Sequence, residues 1–459
     1  MTTVPPPDDE ANRLSRRLTR YAQVGTNVGG IAARVAVGRL FGMEHDKAKG
    51  AAELAAALGG LKGPIMKVAQ LLSTIPEALP AEYAAELAQL QSQAPAMGWP
   101  FVKRRMAAEL GPDWNARFAN FEREAAASAS LGQVHRATAH DGRSLAVKLQ
   151  YPDMQSAVEA DLNQLKLLFS IHRRMDTAVD TSEMASEIGE RLREELDYYL
   201  EAAHMRLYGA IFQDDALIRV PVVLPELSTK RLLTMTWMEG RRVTDYKPAP
   251  NEDRNLIARA MFRAWWYPFS HHGVIHGDPH LGNYSVYEDA SGHPAGLNLL
   301  DYGCIRTFAP KFVGGVIDLY KGLLESDRAR VVHAYETWGF KGLSNELIDV
   351  LNIWARFIYG PLLDDRERLI AEDVAPGEYG RREAFQVHKQ LKEKGPVKVP
   401  REFVFMDRAA IGLGGVFLHL NARLNYCRIF NETIEGFELG AVAERQRAAF
   451  VAAGVPLPG

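Results

Sequence analysis

Apolar residues recur at helical i, i+3, i+4 spacing through most of this chain and give way to alternation in a few stretches between residues 120 and 300. After a polar tail over 1–12, an Ala-rich helix is predicted over 46–58, closed by Gly59 and Gly60. A new helix starts at Pro64, where a missing N–H costs nothing. Pro76 and Pro80 break the chain before a third helix over 81–93, with Leu87 and Leu90 on one face. From Asn120 the pattern becomes strand-like. A small-residue loop over 125–135 runs into an alternating strand, Asp141-Gly142 supplies a tight turn, and 144–150 is the return strand. Long helices are predicted over 154–175 and 182–212, then strands over 217–224 and 230–237 with a hinge at 236–240. A helix over 254–272, a short buried strand over 296–300 and a helical C-terminal part over 311–450 complete the series. Helices and strands in separate stretches, without regular alternation, make an α+β chain.

Composition narrows the classes. With 459 residues, the prior of ~150 per domain gives two or three units. The net charge of −3 gives no pull toward nucleic acid, and no nucleic-acid module is present. Cys304 and Cys427 form neither a Cys-x-x-Cys pair nor a His-rich cluster, which fits a reducing compartment and no structural zinc. The first ten residues carry no apolar leader, and the best membrane candidate, 409–420, is too short to span. The expectation is a cytoplasmic protein with at most peripheral contact with the inner membrane face. A basic segment over 13–39, with six arginines among small and apolar residues, reads either as a helix on an anionic membrane or as a solvated helix face.

Candidate chemistry centres on His276-Gly-Asp-Pro-His-Leu-Gly-Asn-Tyr284 and Leu299-Leu-Asp-Tyr-Gly303. Asp278 and Asn283 lie five apart, the spacing at which an Asp faces an acceptor hydroxyl and an Asn holds a metal ion in a phosphoryl-transfer loop. The strand over 296–300 then delivers Asp301 as an Asp-Tyr-Gly form of the magnesium motif. Asn and Asp oxygens suit Mg²⁺, which shares its coordination with phosphate and water. A rival reading takes His276, Asp278 and His280 as a metal-hydrolase ligand set.

The upstream chain bears on that choice. The loop with Ala127, Ser128, Ala129 and Ser130, followed by a strand carrying Lys148, is how a kinase N-lobe covers ATP and presents a lysine to its phosphates. Alanine resists positive φ, so this loop is stiffer than a glycine loop, although its amides still donate to anions. One acid of the 182–212 helix is expected to pair Lys148. Glu194, Asp197 and Glu201 share a face, with Glu195 turned about 100° away. Glu239, in the hinge, joins the expected nucleotide contacts. Lys67 and Gln70 are three apart on one helix face and reach a common target.

Taken together, these residues resemble the UbiB (AarF) family of atypical kinase-like proteins, members of which support ubiquinone biosynthesis. The resemblance runs from about Lys62 to Asn425 and is carried by Lys67-Val-Ala-Gln70, the Ala-rich loop 127–135, Glu195-Leu-Asp197, His276 through Asn283, and Asp301. It implies a bilobal atypical protein-kinase-like fold with an N-terminal helical extension: extension over 1–110, N-lobe over 111–238, helical C-lobe over 239–459. It implies Glu201 as the partner of Lys148, and Lys67 near Glu195 or Asp197, restricting access by a protein substrate. Two departures stand out: Ala69 in place of the motif's Gly, and Leu281 in place of the usual Pro. The expected function is a Mg²⁺-dependent, ATP- or ADP-binding kinase or ATPase with a small-molecule or lipid substrate, working with quinone-biosynthesis enzymes. The alternative is a nucleotide-gated scaffold for partner enzymes. The acceptor and the oligomeric state are not encoded in any motif of the chain.

Overall fold

The computed structural model describes residues 97–128, 131–159, 162, 189–371, 386, 387, 389, 390 and 401–458. Lys67, Gln70, Ala69, Ala129, Ser130, the basic segment 13–39, the helices expected over 46–93 and most of 154–175 lie outside the described residues. The chain divides into two compact units, Met1–Tyr199 with Leu224–Trp237, and Leu200–Val223 with Met238–Gly459.

The first unit is organised on an antiparallel sheet of β1 (Asn120–Ser128), β2 (Gly132–Thr138), β3 (Ser144–Gln150) and β5 (Leu232–Thr236), in the order β1-β2-β3-β5. The hairpin between β2 and β3 closes as the Asp-Gly signal predicts: Thr138 pairs with Ser144, Gly142 takes φ +86°, and Asp141 accepts from the Arg143 amide. Alternation along β3 buries Leu145, Val147 and Leu149 completely and turns Lys148 to the other face, where it is half-buried. Helix α1 (Trp99–Leu110) adds Phe101, Val102 and Met106 to a core shared with Trp114, Phe118, Phe121, Val147 and Leu149. Each such side chain contributes about 1.5–3 kcal/mol by leaving water. The buried Arg105 of α1 donates to the carbonyls of Gln150 and Tyr151 and pairs with Glu109, which also takes Arg231 and Thr229. This network fixes α1 against the end of the lysine strand. Removing one partner of a buried pair costs about 3–5 kcal/mol.

Three sequence expectations are corrected in and beside this unit. Ala125 through Ser128 belong to β1, so Ala127 and Ser128 are strand residues paired with Val134 and Gln133, and the connection to β2 is shorter than the predicted loop. Alanine tolerates extended backbone, and bulges in the β1 register absorb the run. The helix expected over 182–212 is broken: 189–194 are helical, 195–197 turn, and α2 (Tyr198–Ile211) starts afresh. Asp197 causes the break, since its carboxylate accepts from the Tyr199 amide and competes with helix continuation. Glu194, Asp197 and Glu201 therefore do not form one helix face. The strand expected over 217–224 shrinks to β4 (Ile218–Arg219), because Pro221 interrupts it; it pairs in parallel with Leu297 and Asn298.

The second unit is built around α3 (Asn251–His272), which buries Met261, Phe262, Trp265, Trp266 and Phe269. Against it lie two small sheets. One has the order β4-β9-β8-β6, with β6 (Arg241–Arg242), β8 (Tyr284–Glu288) and β9 (Pro294–Leu299); the other pairs β7 (Val274–His276) with β10 (Ile305–Thr307). Helices α4 (Pro310–Glu325), α5 (Arg328–Thr337), α6 (Asn345–Tyr359), α7 (Arg401–Leu420), α8 (Tyr426–Ile434) and α9 (Leu439–Ala453) follow, as the helical periodicity after 311 predicts.

Candidate functional site

The exit from α3 aims the chemistry. Gly273 caps the helix in the left-handed region at φ +62°, and a side chain there would meet Phe308 O and Gln446 Nε2, each at 2.5 Å. Only glycine allows this close approach. Gln446 of α9 donates to the carbonyls of both His272 and Phe308, locking the turn that feeds β7.

After β7 the loop carries Asp278, and a 3₁₀ turn over Leu281–Asn283 leads into β8. His280 caps that turn, its Nδ1 accepting from the Gly282 amide. The β8–β9 hairpin then returns the chain, with Tyr284 opposite Leu299, and the Leu300 amide donates to Asn283 O at 2.9 Å. Asp301 follows directly. Past it, the Gly277 amide donates to Cys304 O at 2.7 Å, and Ile305 of β10 pairs with His276 of β7.

Backbone bonds thus join two motifs that lie about twenty residues apart in sequence. His276 completes the junction: its Nε2–H donates to Asp301 O at 2.8 Å, and its Nδ1 accepts from the Asp278 amide at 3.3 Å. The geometry fixes the neutral Nε2–H tautomer, with both ring nitrogens used by backbone. That overturns the metal-hydrolase reading of His276, Asp278 and His280. His280 is likewise turned to its own loop, and among the described residues no group of three His, Cys, Asp or Glu stands together to hold a metal.

Asp278, Asn283 and Asp301 are half-buried. Asn283 Nδ2 donates to Asp278 O at 3.1 Å, which directs its amide oxygen elsewhere, and Asp301 Oδ1 accepts from the Gly303 amide at 3.2 Å. The carboxylates of Asp278 and Asp301 are both felt at the buried hydroxyl of Tyr284. Burial first, and then these two charges, push that hydroxyl far above the ordinary tyrosine range, against the donation from Trp265 Nε1. The hard oxygens of Asn283 and Asp301, on adjacent chain segments, fit Mg²⁺.

Helix α2 reaches the same place. Glu201 is 2% exposed, His204 Nδ1 donates to Tyr302 O at 3.2 Å, and the Tyr208 ring stands edge-on to Tyr302 at 5.5 Å. Burial, then Tyr208, Tyr284, Asp301 and Glu201, drive the Tyr302 hydroxyl well above its ordinary range. His204 and Tyr208 escaped sequence reasoning. The signal was available, since His204 lies one turn beyond Glu201 on the same face. In the first unit, the Lys148 ammonium stands 5.3 Å from the centre of the Tyr198 ring. Tyr198 opens α2, and Glu201 lies three positions further along that helix. Glu195 and Asp197 flank the turn before it, both half-buried. Glu239 has an exposed side chain, and its carbonyl accepts from the buried Asn298 at 2.9 Å, which ties Glu239 to β8 and β9.

A lysine strand, an acid-bearing helix, a catalytic-type loop and an Asp-Tyr-Gly segment define an α+β protein of the atypical kinase-like class. The ABC1 atypical kinase-like domain matches residues 89–335, and the chain belongs to that family. AarF domain-containing protein kinase 1 of Xenopus tropicalis is 32% identical over 272 residues, 59% of this chain and 52% of the relative. Atypical kinase COQ8, mitochondrial, of Saccharomyces cerevisiae is 32% identical over 254 residues, 55% of this chain and 50% of the relative. The chain spans about half the length of these curated relatives. Among solved structures, the Rv3197–erythromycin complex from Mycobacterium tuberculosis superposes with a TM-score of 0.58 at 26% identity, covering 89% of this chain and 98% of that one. Among the described residues no helix is long and apolar enough to cross a membrane.

Proposed function

We propose that this chain binds a Mg²⁺-nucleotide and transfers or hydrolyses its terminal phosphate in support of small-molecule or lipid-linked metabolism, isoprenoid quinones being the class the family resemblance implies. The observation that carries this reading is the joined pair of motifs, in which His276 and the Asn283–Leu300 bond hold Asp278, Asn283 and Asp301 to one another. Asp278 orients the attacking hydroxyl or water and takes its proton. Asn283 and Asp301 hold Mg²⁺, which when bound neutralises the phosphate charge. Lys148 is assigned to the phosphate oxygens, with Glu201 as the acid that fixes it. The reaction asks the protein for positioning and charge rather than covalent chemistry. That a solved relative was captured with erythromycin supports a small-molecule substrate class. Work at a membrane surface, through the basic segment 13–39, and association with quinone-pathway enzymes are part of the same proposal.

The test is phosphate release from ATP by the purified chain, with and without Mg²⁺ and anionic liposomes, beside Asp301→Ala. The expected result is Mg²⁺-dependent turnover that falls by ~10³-fold or more in the variant, a loss of the size that key electrostatic groups carry. Nucleotide binding without turnover under every condition would replace catalysis by the nucleotide-gated scaffold. Unchanged metal dependence in Asp301→Ala would remove the metal assignment.

A further inference from the structure

Helix α7 lies beyond residue 335, outside the segment that the ABC1 domain matches, and yet it backs directly onto the loop that carries Asp278. The contact is made by Gly412. A Cβ on Gly412 would stand 2.3 Å from Pro279 Cγ, 3.3 Å from its Cδ and 3.5 Å from its Cβ. Glycine inside a helix is unfavourable relative to alanine, and here the methyl has no room because the proline ring occupies it.

The helix cannot simply retreat. Ala409, Leu413, Val416 and Phe417 of α7 are buried, and Phe417 packs against Phe262 of α3 and Tyr426 of α8. Met406 and Ala410 close an apolar cluster with Trp266, Phe312 and Trp338. Pro279 is only half-buried, sits on a loop, and is bonded to Asp278. Any misfit at this contact is therefore passed to the loop, and a Cβ at 412 would have to gain about 1 Å to reach the ordinary contact distance of 3.4 Å.

We infer that α7 is a positioning element for the acceptor-facing loop, with Gly412 as the positioning residue that sets where Pro279, and so Asp278, stands. The inference rests on the proposed phosphoryl-transfer reading and adds to it a residue far along the chain that touches neither nucleotide nor metal. A displacement of ~1 Å at a reacting group costs ~10²-fold in rate. G412A is expected to lower kcat by ~10- to 100-fold, with the KM for Mg²⁺-ATP within about threefold of wild type.

The decisive experiment is the cycle of wild type, G412A, P279A and G412A/P279A in full-length protein, reading kcat, KM and melting temperature. Alanine at 279 keeps only the Cβ, which lies at the ordinary distance of 3.5 Å from a new methyl at 412. G412A is therefore expected to slow the wild type by about tenfold or more and to slow P279A by less than about threefold. Equal slowing in both backgrounds, or none in the wild type, overturns the role of α7. If G412A is insoluble, its recovery as soluble protein in the P279A background reads the same contact, and failure to recover overturns it. A wild-type chain without Mg²⁺-dependent turnover overturns the proposed function and this inference together, whereas an active wild type without rescue overturns α7 alone.

Discussion

Asp278 and Asp301 are held by a junction between two motifs, whereas the backbone of Lys148 is placed by the register of a sheet. The two acids sit on segments joined by backbone amides and by the His276 ring, so neither moves without breaking several bonds. Lys148 is fixed at its Cα by the register of β3 between Val134 and Leu233, while its long side chain ends over the face of Tyr198.

His276→Ala is the strongest way to break that contrast. It removes the donor to Asp301 O and the acceptor for the Asp278 amide, leaving two backbone groups near the site to find water. The expected cost is about 2–4 kcal/mol of stability and ~10²-fold in phosphate release, with metal dependence retained. Urea unfolding and turnover measured on the same sample check both. A variant as active and as stable as the wild type would mean that the Gly277–Cys304 and Asn283–Leu300 bonds suffice.

The sequence made each motif legible by itself, because the Asp278-to-Asn283 spacing and the strand before Asp301 are local patterns. The junction between them was not legible. It depends on β7 pairing with β10 and on one ring nitrogen reaching across, which spacing along one chain does not encode. The same locality explains the misreadings. Asp197 looked like a helix-face acid because i, i+3, i+7 counting ignores a carboxylate that captures its own backbone at the Tyr199 amide. Ala127 and Ser128 looked like loop because small residues usually mark one, and bulged pairing with β2 put them in strand. Gly412 had no readable signal, since a glycine in an apolar helix shows nothing of the proline ring that it faces.

Acid sharpens the comparison between units. In the second unit His271 and His272 are held neutral, both lowered to about 4 by burial, with Arg445 opposing protonation of each and His271 opposing it at His272. In the first unit His135 is lowered too, chiefly by burial, and is enclosed by Gln133 and the Glu122 carbonyl. Unfolded, these rings bind protons below their ordinary value of 6.5, so the folded state binds fewer and loses stability as pH falls from 6.5 toward 4. Allowing for solvent screening at the partly exposed His271, the expected loss by pH 5 is about 2–3 kcal/mol. A urea midpoint that stays flat between pH 7 and pH 5 would contradict it.

The smallest expected effect probes how α2 holds the Asp-Tyr-Gly segment. Tyr208 is fully buried, packs edge-on to Tyr302, and its hydroxyl has no hydrogen-bond partner among the described residues. His204, one turn earlier, makes the polar link to Tyr302 O, and the Tyr302 hydroxyl is satisfied by Leu299 O. The Tyr208 ring therefore contributes shape while its oxygen contributes a desolvation cost. Tyr208→Phe keeps the edge-on contact and removes the orphan, so stability should hold or rise by about 0.5–1 kcal/mol with turnover unchanged. His204→Phe should instead lose about 1–2 kcal/mol, because it leaves Tyr302 O unpaired. If Tyr208→Phe loses more than His204→Phe in urea unfolding, the hydroxyl is bonded through a water, and α2 grips Tyr302 by a polar bridge at Tyr208 rather than by ring packing.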